Sequence, residues 1–243
     1  MASAAATSAN EQQQLDTRKA GLREYFGPHG FERWRKIYSS EEVSYIRRTV
    51  REGHSAMVAQ ALAWAWEGGT NIRMLDAGCG PGVVSRALAR AGSEVVGCDL
   101  AEEMVQYSRQ AAQEEPEEVA KRLSYLVSDL ESVHTKVEGP FDLVICLDVL
   151  IYYPEEEFGR IVQNLASLSP RRLIFTYAPA SRVLKVMHKV GRLFPRGHKS
   201  TNMEIIGVEA VRRGLASAGL RLARQKPFSK GFYHVVLAEA VAL

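Results

Sequence analysis

The chain has 243 residues, which suits one α/β domain with a small extra element and leaves little room for two full domains. Apolar residues make up 46% and charged residues 24%, enough to build a core and to exclude global disorder. The net charge is +3, from 31 basic and 28 acidic side chains. That balance does not call for a nucleic-acid partner, so any basic effect is local.

Residues 1–14 are small and polar, with no hydrophobic stretch and no arginine. They predict a disordered tail rather than a secretory signal, although a trimmed organelle transit peptide would also fit. Residues 15–69 read as a helical N-terminal arm or lid. Leu22, Tyr25 and Phe26 form a short apolar cluster before the turn Gly27-Pro28-His29-Gly30. Phe31, Trp34 and Tyr38 follow at helical spacing, and Val43 to Trp66 predicts a longer helix closed by Gly68-Gly69.

From Arg73 the rhythm changes. Strands are predicted at 73–78, 94–100, 122–130, 141–150 and 171–179, alternating with helices at 83–92, 101–115 and 155–168. That alternation implies a parallel, doubly wound sheet with helices on both faces, placed at 70–180. Residues 181–204 read as a basic amphipathic helix and loop forming a small cap. Residues 205–243 supply a last helix and two strands around Ser229-Lys230-Gly231. Five parallel strands with a C-terminal hairpin make a Rossmann-like α/β sheet.

The strongest local signal is Asp76-Ala77-Gly78-Cys79-Gly80-Pro81-Gly82, directly after a strand and before a helix. Glycines permit positive φ and close backbone approach to a ligand, and the helix amides that follow can face polar ligand atoms. A dinucleotide loop prefers G-x-G-x-x-G; here the spacing is G-x-G-x-G with a carboxylate ahead of it. S-adenosylmethionine (SAM) carries an ammonium and a sulfonium, which an acid at the strand end suits. The next strand ends in Asp99-Leu100, where an acid can accept from both ribose hydroxyls. The third ends in Ser128-Asp129-Leu130, where an acid can accept from an adenine amino group. The fourth gives Cys146-Leu147-Asp148, beside the methionine moiety and the methyl group. Asp148 reads equally well as a helix cap. Four such segments at carboxyl ends together predict a SAM-dependent methyltransferase that releases S-adenosylhomocysteine.

The flanking segments resemble the magnesium-protoporphyrin IX O-methyltransferase family of chlorophyll biosynthesis. The likeness rests on Tyr25-Phe26, on Gly30 to Tyr38 (GFERWRKIY), on Arg51, Gly53 and His54 as R-x-G-H, and on Cys146 to Ile151 with Tyr153-Pro154. Asn164 to Leu168, Arg171 to Ile174 and Gly191 to Pro195 extend it, so that it runs from about residue 22 to about 200. The resemblance implies that a propionate of Mg-protoporphyrin IX attacks the SAM methyl group, giving the monomethyl ester. It implies an N-terminal arm acting as a lid, with Tyr25 close to the reacting groups and Tyr38 at the cofactor. It also implies acceptor contacts from Phe26, Trp34, Tyr153 and Lys199. Magnesium belongs to the substrate, so no protein-bound metal is expected.

The chain departs from that family on the acceptor side. The family reads L-I-H-Y-P after the fourth strand, its histidine regarded as catalytic; this chain has Tyr152 there. A tyrosine is a poor base at neutral pH but still donates a hydrogen bond. Asn202 stands where the family has an arginine, and no arginine follows Phe232-Tyr233. These losses keep open a methyltransferase for another small acceptor, such as a natural product, and a non-catalytic SAM- or tetrapyrrole-binding protein. A nucleic-acid methyltransferase is disfavoured, because LDVLIYYP offers neither an N-P-P-Y motif nor a catalytic cysteine.

Arg182, Lys185, Lys189, Arg192, Arg196 and Lys199 run without an intervening acid. They read as recognition of substrate carboxylates, as peripheral contact with an anionic membrane, or as a solvated helix face. The cysteines Cys79, Cys98 and Cys146 form no CxxC pair and read as small buried residues in a reducing compartment. The expected location is the cytoplasm, or the plastid stroma after removal of a transit peptide.

Overall fold

The structure, a computed structural model, describes residues 2–27, 45–180 and 203–243. The expected Trp34, Tyr38, Lys199 and Asn202 positions and the basic run 182–199 lie outside the described residues.

The sheet explains the rest of the molecule. Strands β1 (Arg73–Ala77), β2 (Glu94–Asp99), β3 (Leu123–Val127), β4 (Leu143–Cys146) and β5 (Arg172–Pro179) are mutually parallel. Strands β7 (Leu220–Lys230) and β8 (Tyr233–Ala242) form an antiparallel hairpin, and the order is β3-β2-β1-β4-β5-β8-β7. The hairpin's second strand lies against β5, with Thr176 opposite Leu237. A two-residue strand, β6 (Ile205–Ile206), also pairs with β5. Every residue of β4 is buried, as a central parallel strand covered on both faces requires.

Helices cover both faces. On one, α6 (Glu155–Leu168) presents Phe158, Ile161, Val162, Leu165 and Leu168 at helical spacing to Phe175 and Leu173. Its first turn holds Glu155, Glu156 and Glu157, which complement the positive end of the helix dipole. Helix α7 (Val208–Ser217) packs beside it. On the other face lie α2 (Tyr45–Glu67), whose Met57, Ala61 and Trp64 meet β-strand residues, and α3 (Val83–Arg90) with Leu88 and Ala89. Helix α4 (Glu102–Gln113) packs on β3 and β2, and the short α5 (Glu117–Ala120) packs on α3 and α4. All three cysteines are free and buried, and burial pushes the Cys98 thiol up to about 12.

A buried ion cluster fixes the end of α2. Glu239 on β8, 4% exposed, pairs with both Arg172 and Arg224. Arg172 also donates to the carbonyls of Trp64 and Ala65, the last turn of α2. Arg224 pairs with Glu67 and lies over the Trp64 ring at 4.3 Å.

Helix α1 (Ala2–Phe26) begins thirteen residues earlier than the expected arm, so residues 2–14 are helical rather than a tail. Alanine and glutamine are good helix formers, and polarity without Gly or Pro does not break a helix. The helix crosses the carboxyl ends of the strands, with Leu22 and Phe26 packed on Ile151, Tyr152 and Ala178. Arg18 pairs with Glu157, and Lys19 reaches Asp129 at 2.9 Å and Glu131 at 3.6 Å.

Candidate active site

The loop between β1 and α3 begins the site. Asp76 is 3% exposed, and its Oδ2 accepts from the Ser85 hydroxyl at 2.6 Å. Burial is the main cause that raises its carboxyl to about 6. Gly78 has φ 84°, and a Cβ there would lie 2.2 Å from Val149 Cγ2, so neither the backbone nor the space admits a side chain. Gly80 has φ 51°, and a Cβ there would meet nothing within 4 Å; its surroundings are open to a ligand. Gly82 caps α3 in the left-handed region.

Two more acids follow at strand ends. Asp99 accepts from the amides of Gly80 and Ala101, each at 2.9 Å; burial raises its carboxyl, and those amide bonds oppose the rise. Asp129 accepts from the Ser132 amide at 2.8 Å and from Lys19 at 2.9 Å. Burial works to raise Asp129, but the Ser132 hydroxyl and the Lys19 ammonium outweigh it and hold the carboxyl below its usual range.

Three cavities adjoin these groups. The first, about 490 Å³, lies between Asp99, Leu100, Asp129 and Leu130 on one side and Leu22 and Phe26 of α1 on the other. The second, about 760 Å³, lies over Asp76, Gly78, Gly80 and Leu147, walled by α2 at His54 and Val58. The third, about 850 Å³, lies between Tyr25, Tyr152, Met203, Phe232 and Tyr233. Gly78 lines the first two, while Asp148 and Tyr152 line the first and third. Three strand-end acids, an open glycine turn and linked cavities fit a nucleoside-bearing cation such as SAM. Among the described residues, no group of three or more His, Cys, Asp or Glu gathers to hold a metal, and no helix is long and apolar enough to cross a membrane.

Of the expected catalytic residues, Tyr25 and Tyr152 share the third cavity. Phe26 stands edge-on to both, with ring centroids 4.9 Å from Tyr25 and 5.5 Å from Tyr152. Phe26 and Tyr153, expected on the acceptor side, line the first cavity together with Asp99, Asp129 and Tyr152. The Tyr153 hydroxyl turns toward Glu131 at 3.5 Å.

Sequence reasoning gave little weight to the cluster around Asp148. The Asp148 carboxylate accepts from Tyr233 at 2.8 Å, from Thr176 at 3.1 Å, and stands 2.9 Å from His54 Nδ1. These partners lie 85, 28 and 94 residues away in sequence. The available signals were Asp148's place at the end of β4, which competed with a capping reading, and His54's place in the R-x-G-H motif.

Residues 74–169 match the family described as "Methyltransferase domain", and the sheet is that of a SAM-dependent methyltransferase. Residues 146–242 match the family described as "Magnesium-protoporphyrin IX methyltransferase C-terminus". The chain is 38% identical to a magnesium-protoporphyrin O-methyltransferase of Synechocystis, over 92% of this chain and 96% of that protein. It is 34% identical to a chloroplastic magnesium protoporphyrin IX methyltransferase of Arabidopsis thaliana, over 93% of this chain and 72% of that one. A crystal structure of the Synechocystis magnesium protoporphyrin IX methyltransferase with bound S-adenosylhomocysteine superposes with a TM-score of 0.81, covering 91% of this chain and 98% of that one. The chain belongs to the magnesium-protoporphyrin IX methyltransferase family.

Proposed function

We propose that this protein methylates a propionate carboxylate of Mg-protoporphyrin IX, giving the monomethyl ester and S-adenosylhomocysteine. The reading is carried by the third cavity, an aromatic-walled space between Tyr25, Tyr152, Phe232 and Tyr233 that shares Asp148 with the first cavity. Bound SAM supplies the activated methyl group. Asp76 holds the ammonium, Asp99 the ribose hydroxyls and Asp129 the adenine amino group, with Gly78, Gly80, Gly82, Leu100, Leu130 and Leu147 shaping the cradle. A carboxylate acceptor is ionised at neutral pH and needs little base assistance. The chain's contribution is alignment and exclusion of water, worth about 7–11 kcal/mol at best. Tyr25 and Tyr152 wall the acceptor side; the family resemblance assigns Tyr38 to the cofactor and Trp34 and Lys199 to the acceptor.

The test is turnover of Mg-protoporphyrin IX with SAM, metal-free protoporphyrin as control, and pigments separated with mass detection. Ester formed over many turnovers is the expected result; SAM binding without ester would move the assignment to another acceptor. Tyr152 in place of the family histidine favours that second reading. Release of S-adenosylhomocysteine at steady state would dispose of a binding-only role. Tyr152→Phe is expected to slow turnover by less than about 100-fold, below the range typical of an acid–base catalyst. Asp99→Ala is expected to weaken SAM binding by about 1.5–3 kcal/mol, read by calorimetry; unchanged affinity would remove Asp99 from the ribose.

The remaining assignments belong to the same proposal. The division is an arm at 15–69, a SAM-binding core at 70–180, a cap at 181–204 and a completing segment at 205–243. The partners are a tetrapyrrole and, through 182–199, an anionic membrane surface, with no nucleic acid. The location is the plastid stroma or the cytoplasm.

A further inference from the structure

The three cavities meet at one carboxylate and one imidazole. Asp148 lines the first and third cavities, and His54 lines the second and third. Both are largely buried, at 12% and 11% side-chain exposure. Asp148 follows β4 with φ 56°, a left-handed backbone that non-glycine residues seldom adopt. Its amide donates to Thr176 Oγ1 at 2.6 Å, and the same hydroxyl donates back to Oδ1 at 3.1 Å. Tyr233 donates from β8 at 2.8 Å, and His54 Nδ1 stands 2.9 Å away on α2. Two strands and one helix thus hold one carboxylate in place. Gly53 permits the approach of α2: a Cβ there would lie 2.5 Å from Tyr233 Cδ1, and an interior helical glycine costs about 1 kcal/mol relative to alanine.

An ionised carboxylate only accepts, so Nδ1 of His54 is the donor in that bond. The bond fixes the ring's tautomer and its angle to the third cavity. We propose that His54 contacts the acceptor carboxylate at the point of methyl transfer, and that Asp148 is a positioning residue acting through it. This rests on the carboxylate-methylating reading above. The acceptor oxygen forms its bond to the methyl carbon as the carbon–sulfur bond breaks, and the electron pair of that bond stays on sulfur. A neutral ester and a neutral thioether result, and no proton moves. What the step needs is a fixed oxygen, and a misplacement of about 1 Å costs about 100-fold in rate.

Two substitutions test this. Asparagine tolerates the left-handed backbone, so Asp148→Asn keeps the turn and removes the charge. His54→Asn keeps an N–H near the Nδ1 position, and so the bond to Asp148, while removing the rest of the ring. Both are expected to lower kcat about 100-fold in protein that still folds and still binds SAM. A second readout is independent of turnover: the histidine ¹⁵N signals of the S-adenosylhomocysteine-loaded protein, with His54 assigned from its absence in His54→Asn. The His54 signals are expected to shift on addition of Mg-protoporphyrin IX. Turnover of His54→Asn within about threefold of a wild-type enzyme that forms ester would overturn the inference and leave the acceptor assignment standing. Shifted His54 signals with no ester from wild type would overturn the acceptor assignment and support the contact. Signals that do not move at saturating pigment would overturn the contact.

Discussion

Replacing Glu239 with alanine is expected to lower the unfolding free energy by about 3–5 kcal/mol, the usual cost of breaking a buried ion pair from one side. Glu239 is 4% exposed and answers two guanidinium groups. Its loss leaves Arg172, whose side chain is 15% exposed, without its ion-pair partner on β8. Arg172 also caps the end of α2 through the Trp64 and Ala65 carbonyls, so the same change loosens the helix that carries His54. An exposed pair makes the contrast. Arg213 and Glu155 are 70% and 49% exposed, and Arg213→Ala is expected to change stability by about 1 kcal/mol or less. Denaturant titrations of the two variants decide the matter; equal effects would mean that the buried cluster contributes no more than a surface contact.

The affinity for SAM is expected to fall about tenfold for each pH unit below about 6, because the proposed partner of the cofactor ammonium is the Asp76 carboxylate. Burial raises that carboxyl from 3.8 to about 6 in the ligand-free protein. Below about 6 the group is protonated, and binding a cation there must expel the proton. The effect on stability has the opposite sign. The folded chain holds this proton more tightly than the unfolded chain. Its contribution to stability is therefore complete below about pH 4 and is lost as pH rises through about 6. The span from 3.8 to about 6 corresponds to about 3 kcal/mol, at 1.36 kcal/mol per pH unit. Calorimetry at several pH values, in buffers of differing ionisation enthalpy, measures both the affinity and the released proton. Asp76→Asn should flatten the profile; a flat profile in the unaltered protein would remove Asp76 from the ammonium.

Strand alternation was legible because central parallel strands leave continuous apolar runs, as Leu143–Cys146 does. The glycine loop was legible because one strand, one turn and one helix suffice to define it. The helix over residues 2–14 was not, since composition alone does not separate a polar helix from a polar coil. Strand β6 has two residues, too few for any periodicity. The Asp148 cluster was hidden for another reason. His54, Thr176 and Tyr233 reach it from three distant elements, and no spacing along the chain records such a meeting. A short helical turn at Leu150–Tyr152 brings both tyrosines to the first cavity and Tyr152 to the third as well, an arrangement that adjacent positions in the sequence do not reveal.

Helix α1 touches both halves of the reaction space. Lys19 ties it to Asp129, and six residues further on Tyr25 walls the third cavity. One helix therefore carries a wall of each space, and Leu22 and Phe26 beside the first cavity cannot shift without Tyr25 beside the third.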